Sequence, residues 1–461
     1  LKHINFFAVH NIDFNKAWKA KQSGWHDQTR AIFANAEIGW KSMIYLTATG
    51  RNDWDSRLAF SDYKSFFYPS IGLSAILTSM FNAPDWLTYL KVRGSYTEVG
   101  NSYGRFMTTV TYPYDEQTQS WTSTSSYPNT KLKPERTKSW EVGLDARILN
   151  DISLNLTYYR SNTYNQTFYA DLSLSSGYSN IPIQSGNIMN EGLEMSLGYN
   201  KQWKDFSFNT NYTLTWNKNR VKRLADGVYN YATGQPIQMP ELSPLTYGHT
   251  DARLILRVGG SMGDVYGQRL LKRDLNGYIL NEEGVGLAME NKETYLGSIL
   301  PKMNMGWSLG FGYKGVNLGM TFTGRFGGIV ISETQSVLDA AGVSKVSADV
   351  RDAGGVQINQ SKVSAQTYYQ TIQGTAAYYT YSATNVRLGE LSLSYTLPKK
   401  WFDNKVGMTV GLVGKNLWMI YCKAPFDPEL TTSAASNFYQ GFDAYMLPST
   451  RNFGFNVKFQ F

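Results

Sequence analysis

Asn452–Phe461 reads NFGFNVKFQF: Phe453, Phe455, Val457, Phe459 and Phe461 alternate without a slip against Asn452, Gly454, Asn456, Lys458 and Gln460. Period two makes one face of an extended strand aromatic and the other polar. In a soluble protein the aromatic face would pack on a core. In an outer-membrane barrel it meets lipid, the polar face meets a wet lumen, and about 9–11 residues span the bilayer. The stretch predicts the C-terminal assembly strand of a membrane barrel.

The same alternation recurs upstream. Ile32, Ala34, Ala36, Ile38 and Trp40 oppose Phe33, Asn35, Glu37 and Gly39; Phe206, Phe208, Thr210, Tyr212, Leu214 and Trp216 oppose Ser207, Asn209, Asn211, Thr213 and Thr215. Ile152–Tyr158, Trp307–Tyr313 and Val316–Phe322 repeat it. Near Glu390 the phase slips, as one extra residue in a β-bulge would make it do. Connections are very short at Trp40-Lys41, Asn150-Asp151, Lys201–Asp205, Lys314-Gly315 and Pro398–Asn404. They are long at Asn101–Lys138, Asn162–Gln184, Arg269–Leu300, Gly327–Thr380 and Tyr421–Ser449. Short turns on one side and long loops on the other is the asymmetry of outer-membrane barrels. With one ill-defined hairpin around Thr250–Gly267 included, about sixteen strands are expected. The fold class is all-β, a transmembrane antiparallel β-barrel, with residues 1–461 forming its C-terminal portion and the long loops facing out of the cell.

Composition agrees. The 461 residues contain no run of about 18 apolar residues, so a helical membrane protein is excluded; mean hydropathy is −0.35. Tyr (32) and Trp (12) are abundant, as suits rings buried at a bilayer interface with wet polar tips. Trp40, Tyr199 and Trp216, on the apolar phase near strand ends, are expected in the aromatic girdles. Net charge is +8 without a concentrated basic patch, which predicts no nucleic-acid partner and contact instead with water or anionic headgroups of membrane lipid. The single cysteine, Cys422, allows no disulfide framework and reads as a small apolar filler.

Four motifs, in order, cover most of the chain. Leu90–Asn101 is LKVRGSYTEVGN, Leu132–Leu144 is LKPERTKSWEVGL, and Ser185–Leu197 is SGNIMNEGLEMSL; Gly324–Gly328 is followed by Tyr381–Pro398 with NVRLGELSLSYTLP. Together they resemble the SusC/RagA family of TonB-dependent outer-membrane transporters of Bacteroidetes. The resemblance implies active import of an oligosaccharide or peptide across the outer membrane of a Gram-negative bacterium, energised through the TonB complex. It implies a SusD-like lipoprotein over the long loops and often a dimer of transporter–lipoprotein pairs. Family members are about twice this length, with a 22-strand barrel, an N-terminal plug and a TonB box. The plug and first strands are therefore expected from a missing N-terminal part, in the same precursor or another chain, because an open sheet edge cannot face lipid.

Site chemistry is sparse. His3, His10, His26 and His249 form no metal-binding spacing, and no phosphate loop or nucleophile elbow is present, so neither an enzyme, a metal nor a cofactor is expected. Asp274 and Asn276 before Gly277 hint at calcium but read better as a turn. Glu141, Asp145 and Glu194 oppose the apolar phase and are expected to face the lumen. Loop aromatics Trp121, Tyr127, Tyr229, Tyr231, Tyr368 and Tyr369 are candidates for a substrate platform, with loop packing or partner contact as the competing role for each. A passive porin-like channel and, less well supported, an outer-membrane enzyme are the alternatives to active import.

Overall fold

The computed structural model describes residues 24–115, 120–224, 234–235, 241–282, 286–358, 361–403, 405–430, 432–433 and 437–461. Thirteen strands form one antiparallel sheet in chain order. They are β1 (Thr29–Trp40), β2 (Ile44–Asp55), β3 (Ser65–Ile76), β4 (Leu87–Asn101), β5 (Glu135–Ile148), β6 (Ile152–Asp171) and β7 (Asn180–Trp203), then β8 (Phe206–Arg223), β9 (Met303–Tyr313), β10 (Val316–Phe326), β11 (Asn385–Leu397), β12 (Gly407–Cys422) and β13 (Asn452–Gln460). Every strand pairs with its chain neighbour, so the hairpins alternate strictly between the two ends of the sheet. Residues 41–43, 149–151, 204–205 and 314–315 turn at one end, where β13 also finishes; 102–134, 224–302, 327–384 and 423–451 connect at the other.

Pairing register carries one phase across the whole wall. On the apolar face Phe208 opposes Phe311, Phe311 opposes Leu318, Leu318 opposes Leu393, Leu393 opposes Leu412, and Leu412 opposes Phe455. On the other face Asn209, Gly310, Gly319, Ser392 and Val413 follow one another in the same way, ending at Gly454. A one-residue slip would invert a strand, and the anticipated slip is absorbed by a bulge. The register shifts between Leu388 and Glu390 against β12, and between Thr321 and Phe322 of β10 against β11, leaving Gly389 as the extra residue.

Three expectations are corrected. The wall has thirteen strands among the described residues, where the sequence count was about sixteen. The hairpin assigned around Thr250–Gly267 instead belongs to a separate four-stranded sheet, Glu241–Thr246, Arg253–Arg257, Asp264–Leu271 and Met289–Ser298. Its residues lack the apolar phase that lipid requires: Leu254, Ile255 and Leu256 are consecutive and all buried. Asn162–Gln184 is not a long loop either, because β6 and β7 run on as a paired hairpin and leave only residues 172–179 to connect them.

The long connections fold together. One hydrophobic cluster joins Tyr247, Leu254, Val265 and Ile299 from 224–302, Ile331 and Ala376 from 327–384 and Phe442 from 423–451. Ile329–Ser332 pairs antiparallel with Thr380–Ser382 and parallel with Phe442–Asp443. Helices α1 (Glu333–Ala340), α2 (Lys345–Asp352) and α3 (Ala365–Ile372) start at Ser332, Ser344 and Ser364. Each serine side chain accepts from the N3 amide, a standard N-cap. We call this assembly the cap.

Candidate functional site

The polar face of the wall carries a charged network. Arg93 is its hub: Nη1 meets Asp145 Oδ2 at 2.6 Å and Nη2 donates to Thr157 Oγ1 at 2.7 Å, while Asn155 donates to the other oxygen of Asp145. The glycine of the E-V-G motif explains how this fits. A Cβ at Gly143 would stand 2.7 Å from Arg93 Nε, so the guanidinium lies across bare backbone. Gly192 of the third motif does the same for Tyr159, whose hydroxyl would be 2.6 Å from a Cβ and which donates to Asn217 Oδ1 at 3.0 Å.

Glu141, Asp145 and Glu194 all fall on this face. Glu141 borders a cavity of about 210 Å³ with Tyr45, Thr47, Ser74, Lys91 and Arg93. Asp145 is neutralised by Arg93, whereas Glu141 and Glu194 have no ion pair within 4 Å among the described residues. Asp53 and Asp55 are held by separate sets of donors. Asp53 is held by Arg51 at 2.8 Å and by the Tyr68 hydroxyl at 2.7 Å, and Asp55 by Arg57 at 2.6 Å and Ser102 at 2.8 Å. Each carboxylate has its own donors and serves the fold.

At its loop end, β8 outruns β9. Met303, the first residue of β9, sits opposite Trp216, so Asn217–Arg223 lose their neighbour on that side. Segments 259–264 and 300–302 approach instead and leave a cleft of about 570 Å³ bordered by Trp216, Lys218, Arg220, Asp264, Tyr295 and Lys302. Asn219 Oδ1 pins one rim by accepting from Met262 N at 2.7 Å. Burial pushes the Asp264 carboxyl up; burial and the neighbouring Asp264 push the Tyr295 phenol up to about 12.

Cap and wall are tied by a buried ion pair. Arg387 of β11 grips Asp427 through two hydrogen bonds, at 2.8 and 3.0 Å, and also reaches Glu429 at 3.4 Å and Asn385 Oδ1 at 3.1 Å. Burial opposes the charge on Asp427, but the hydrogen bonds from Arg387 and the Glu429 amide outweigh it and hold the carboxyl below its ordinary range.

The loop aromatics do not form one platform. Tyr369 is 6% exposed in a cluster with Leu271, Leu287, Ile358 and Ile372, and Tyr368 packs against that cluster edge-on to Tyr369 at 5.3 Å. Tyr369 is thus a core residue with no free ring face, which corrects its candidacy: α3 turns it inward at the helical period. Tyr127 packs edge-on to Tyr178 at 5.1 Å beside another cluster, again the loop-packing role. Trp121 stays 70% exposed, 5.1 Å from Tyr114. Tyr229 and Tyr231 lie outside the described residues. The Asp274 loop is closed by its own backbone, with Oδ1 accepting from Asn276 N and Tyr278 N at 2.9 Å, as an ordinary Asx turn is.

Sequence reasoning passed over Arg93, although it lies two residues from Lys91 on the polar phase and its phase could have been counted. Arg387, Asp427 and the cleft had no local signal.

With this geometry in hand, residues 9–417 match the sequence pattern of the family described as TonB dependent receptor-like, beta-barrel. The chain belongs to that family. Its members are outer-membrane transporters and not enzymes. Curated relatives include TonB-dependent receptor P3 of Formosa agariphila, 25% identical over 93% of this chain and 45% of that protein. TonB-dependent receptor SusC of Bacteroides thetaiotaomicron is 25% identical over 46% of this chain and 19% of its own length. The fold is that of the solved RagAB peptide importer, with a TM-score of 0.70 and 20% identity over 94% of this chain and 46% of that one. The SusC/RagA-like motifs thus sit in a TonB-dependent receptor barrel, and the chain spans about half the length of the curated relatives it matches.

Proposed function

We propose that this chain is the C-terminal barrel portion of an active importer in the outer membrane, drawing an oligosaccharide or short peptide along the polar face of its wall. The family match over residues 9–417 carries this reading. The polar face, with Arg93, Glu141, Asp145 and Glu194, lines the path; the apolar face meets lipid; the cap is the outward mouth. A SusD-like lipoprotein is expected to dock on the cap, as RagAB pairs two components. TonB acts through the N-terminal part of the protein, which also supplies the plug and the strands that close β1 onto β13. Exposed aromatics such as Trp121 are the remaining candidates for substrate contact.

The test is mass spectrometry of every chain that co-purifies with this one from outer membranes in mild detergent, coupled to substrate uptake with and without TonB. Plug-half peptides, a SusD-like lipoprotein and TonB-dependent uptake are expected. Recovery of this chain alone, folded and conducting ions steadily, would overturn active import in favour of a passive channel.

A further inference from the structure

The apolar phase of the wall changes chemistry toward its loop end, and register shows where. Val142, Tyr158, Leu193 and Trp216 form one apolar rung across β5, β6, β7 and β8. The next rung on the same face is Trp140, Arg160, Glu191 and Lys218. Beyond it come Glu98, Lys138, Asn162, Met189 and Arg220, then Arg136 beside Tyr164. Successive rungs are about 7 Å apart at the strand rise. Five cations and two carboxylates therefore lie within about 20 Å beyond the hydrocarbon-facing surface, a balance of +3.

Local carboxylates engage only part of that charge. Glu98 takes Arg136 at 3.1 Å and Lys138 at 3.2 Å, and Glu191 takes Lys218 at 3.8 Å. Arg160 and Arg220 have no carboxylate within 4 Å among the described residues. Arg160 stands opposite Glu191 in the rung next to the apolar one, and Arg220 stands opposite the buried Met189 one rung further out.

We infer that this face holds a phosphorylated glycolipid of the outer leaflet, with Arg160 and Arg220 on its headgroup phosphates and Lys138 and Lys218 beside them. This rests on the proposed orientation, with the cap outside the cell. Long cationic side chains can keep their stems on the apolar rung and raise their heads into the phosphate layer. Guanidinium forks match phosphate oxygens in pairs. Trp140, Tyr158 and Tyr164 provide the interfacial rings that accompany such a boundary.

The experiment is native mass spectrometry of the whole protein carrying this chain, purified from outer membranes and titrated with lipid A, with dephosphorylated lipid A and with inorganic phosphate. Wild type should lose about thirtyfold in affinity when the lipid loses its phosphates, from about tenfold or less per engaged cation. The double variant Arg160→Gln, Arg220→Gln should bind lipid A about thirtyfold more weakly and no longer distinguish the two lipids. Lys399→Gln with Lys400→Gln, at the turn end, should bind like wild type. Equal affinity of wild type for the two lipids would overturn the assignment, and that arm needs no variant to fold. Displacement of lipid A by inorganic phosphate would make this a free-anion site and equally overturn it. A protein that fails here yet reaches the outer membrane and imports substrate leaves the transporter reading intact; absence from outer-membrane fractions would refute that reading instead.

Discussion

Wall and cap use the same side chains by opposite rules. Phe453 and Phe455 on β13 are 79% and 80% exposed, while Leu254 and Ile299 in the cap are fully buried. The cap hides apolar residues from water around closed clusters, as any soluble domain does. The wall spreads them over one face, which is stable only where that face meets hydrocarbon. A single chain therefore contains two solvents' worth of folding code, and the boundary between them falls at the loop ends of the strands.

The largest test of that contrast is at the junction. Arg387→Met leaves Asp427 buried and unpaired and should cost about 3–5 kcal/mol. The loss should appear as fast hydrogen exchange confined to residues 423–451, with the wall unchanged; uniform loss of protection would show that cap and wall are one cooperative unit. Within the cap, Leu254→Ala removes a fully buried side chain and should destabilise by about 2–5 kcal/mol in urea titration of the cap's tryptophan-independent far-ultraviolet signal. On the wall, Leu412→Arg places a cation on the lipid face. It should cost about 2–4 kcal/mol in bilayer-folding titrations, against about 0–1 for Thr409→Arg on the polar phase. Equal costs for the two would erase the distinction between faces.

A smaller effect comes from pH. Asp427 ionises below its ordinary range in the folded state, so its contribution is complete above about pH 4, the unfolded value, and is lost as pH falls through the lower folded value. Limited pepsin digestion should release the 423–451 connection progressively below about pH 4 in wild type. Asp427→Asn should be equally susceptible across that interval. Least of all, Trp121→Ala should change stability by less than about 0.5 kcal/mol, since the ring is 70% exposed. Any change in substrate uptake by that variant would then report contact and not folding.

The wall was legible from residues alone because its environment is uniform along each strand. Lipid on one side and water on the other write a period-two code in every segment, so the faces of β13, β8, β9 and β10 and the bulge at Gly389 could all be read locally. Resemblance in four motifs added the family, and Gly143 and Gly192 show what two motif glycines are for: each clears backbone for a long polar side chain from the next strand. The strand count erred where the code stopped. Leu254, Ile255 and Leu256 are consecutive apolar residues of a strand buried on both faces, and they lack the alternation that a membrane strand needs.

What only tertiary structure decided is the cap and its junction. Tyr247 packs on Phe442, Arg387 finds Asp427, and Tyr369 turns into a core instead of toward a ligand. These partners lie on different long connections or many residues apart. Their closeness depends on thirteen wall strands bringing the loops to one end, which no local pattern encodes. Period and phase are local and were written in the sequence; contacts across loops are non-local and were settled by the fold.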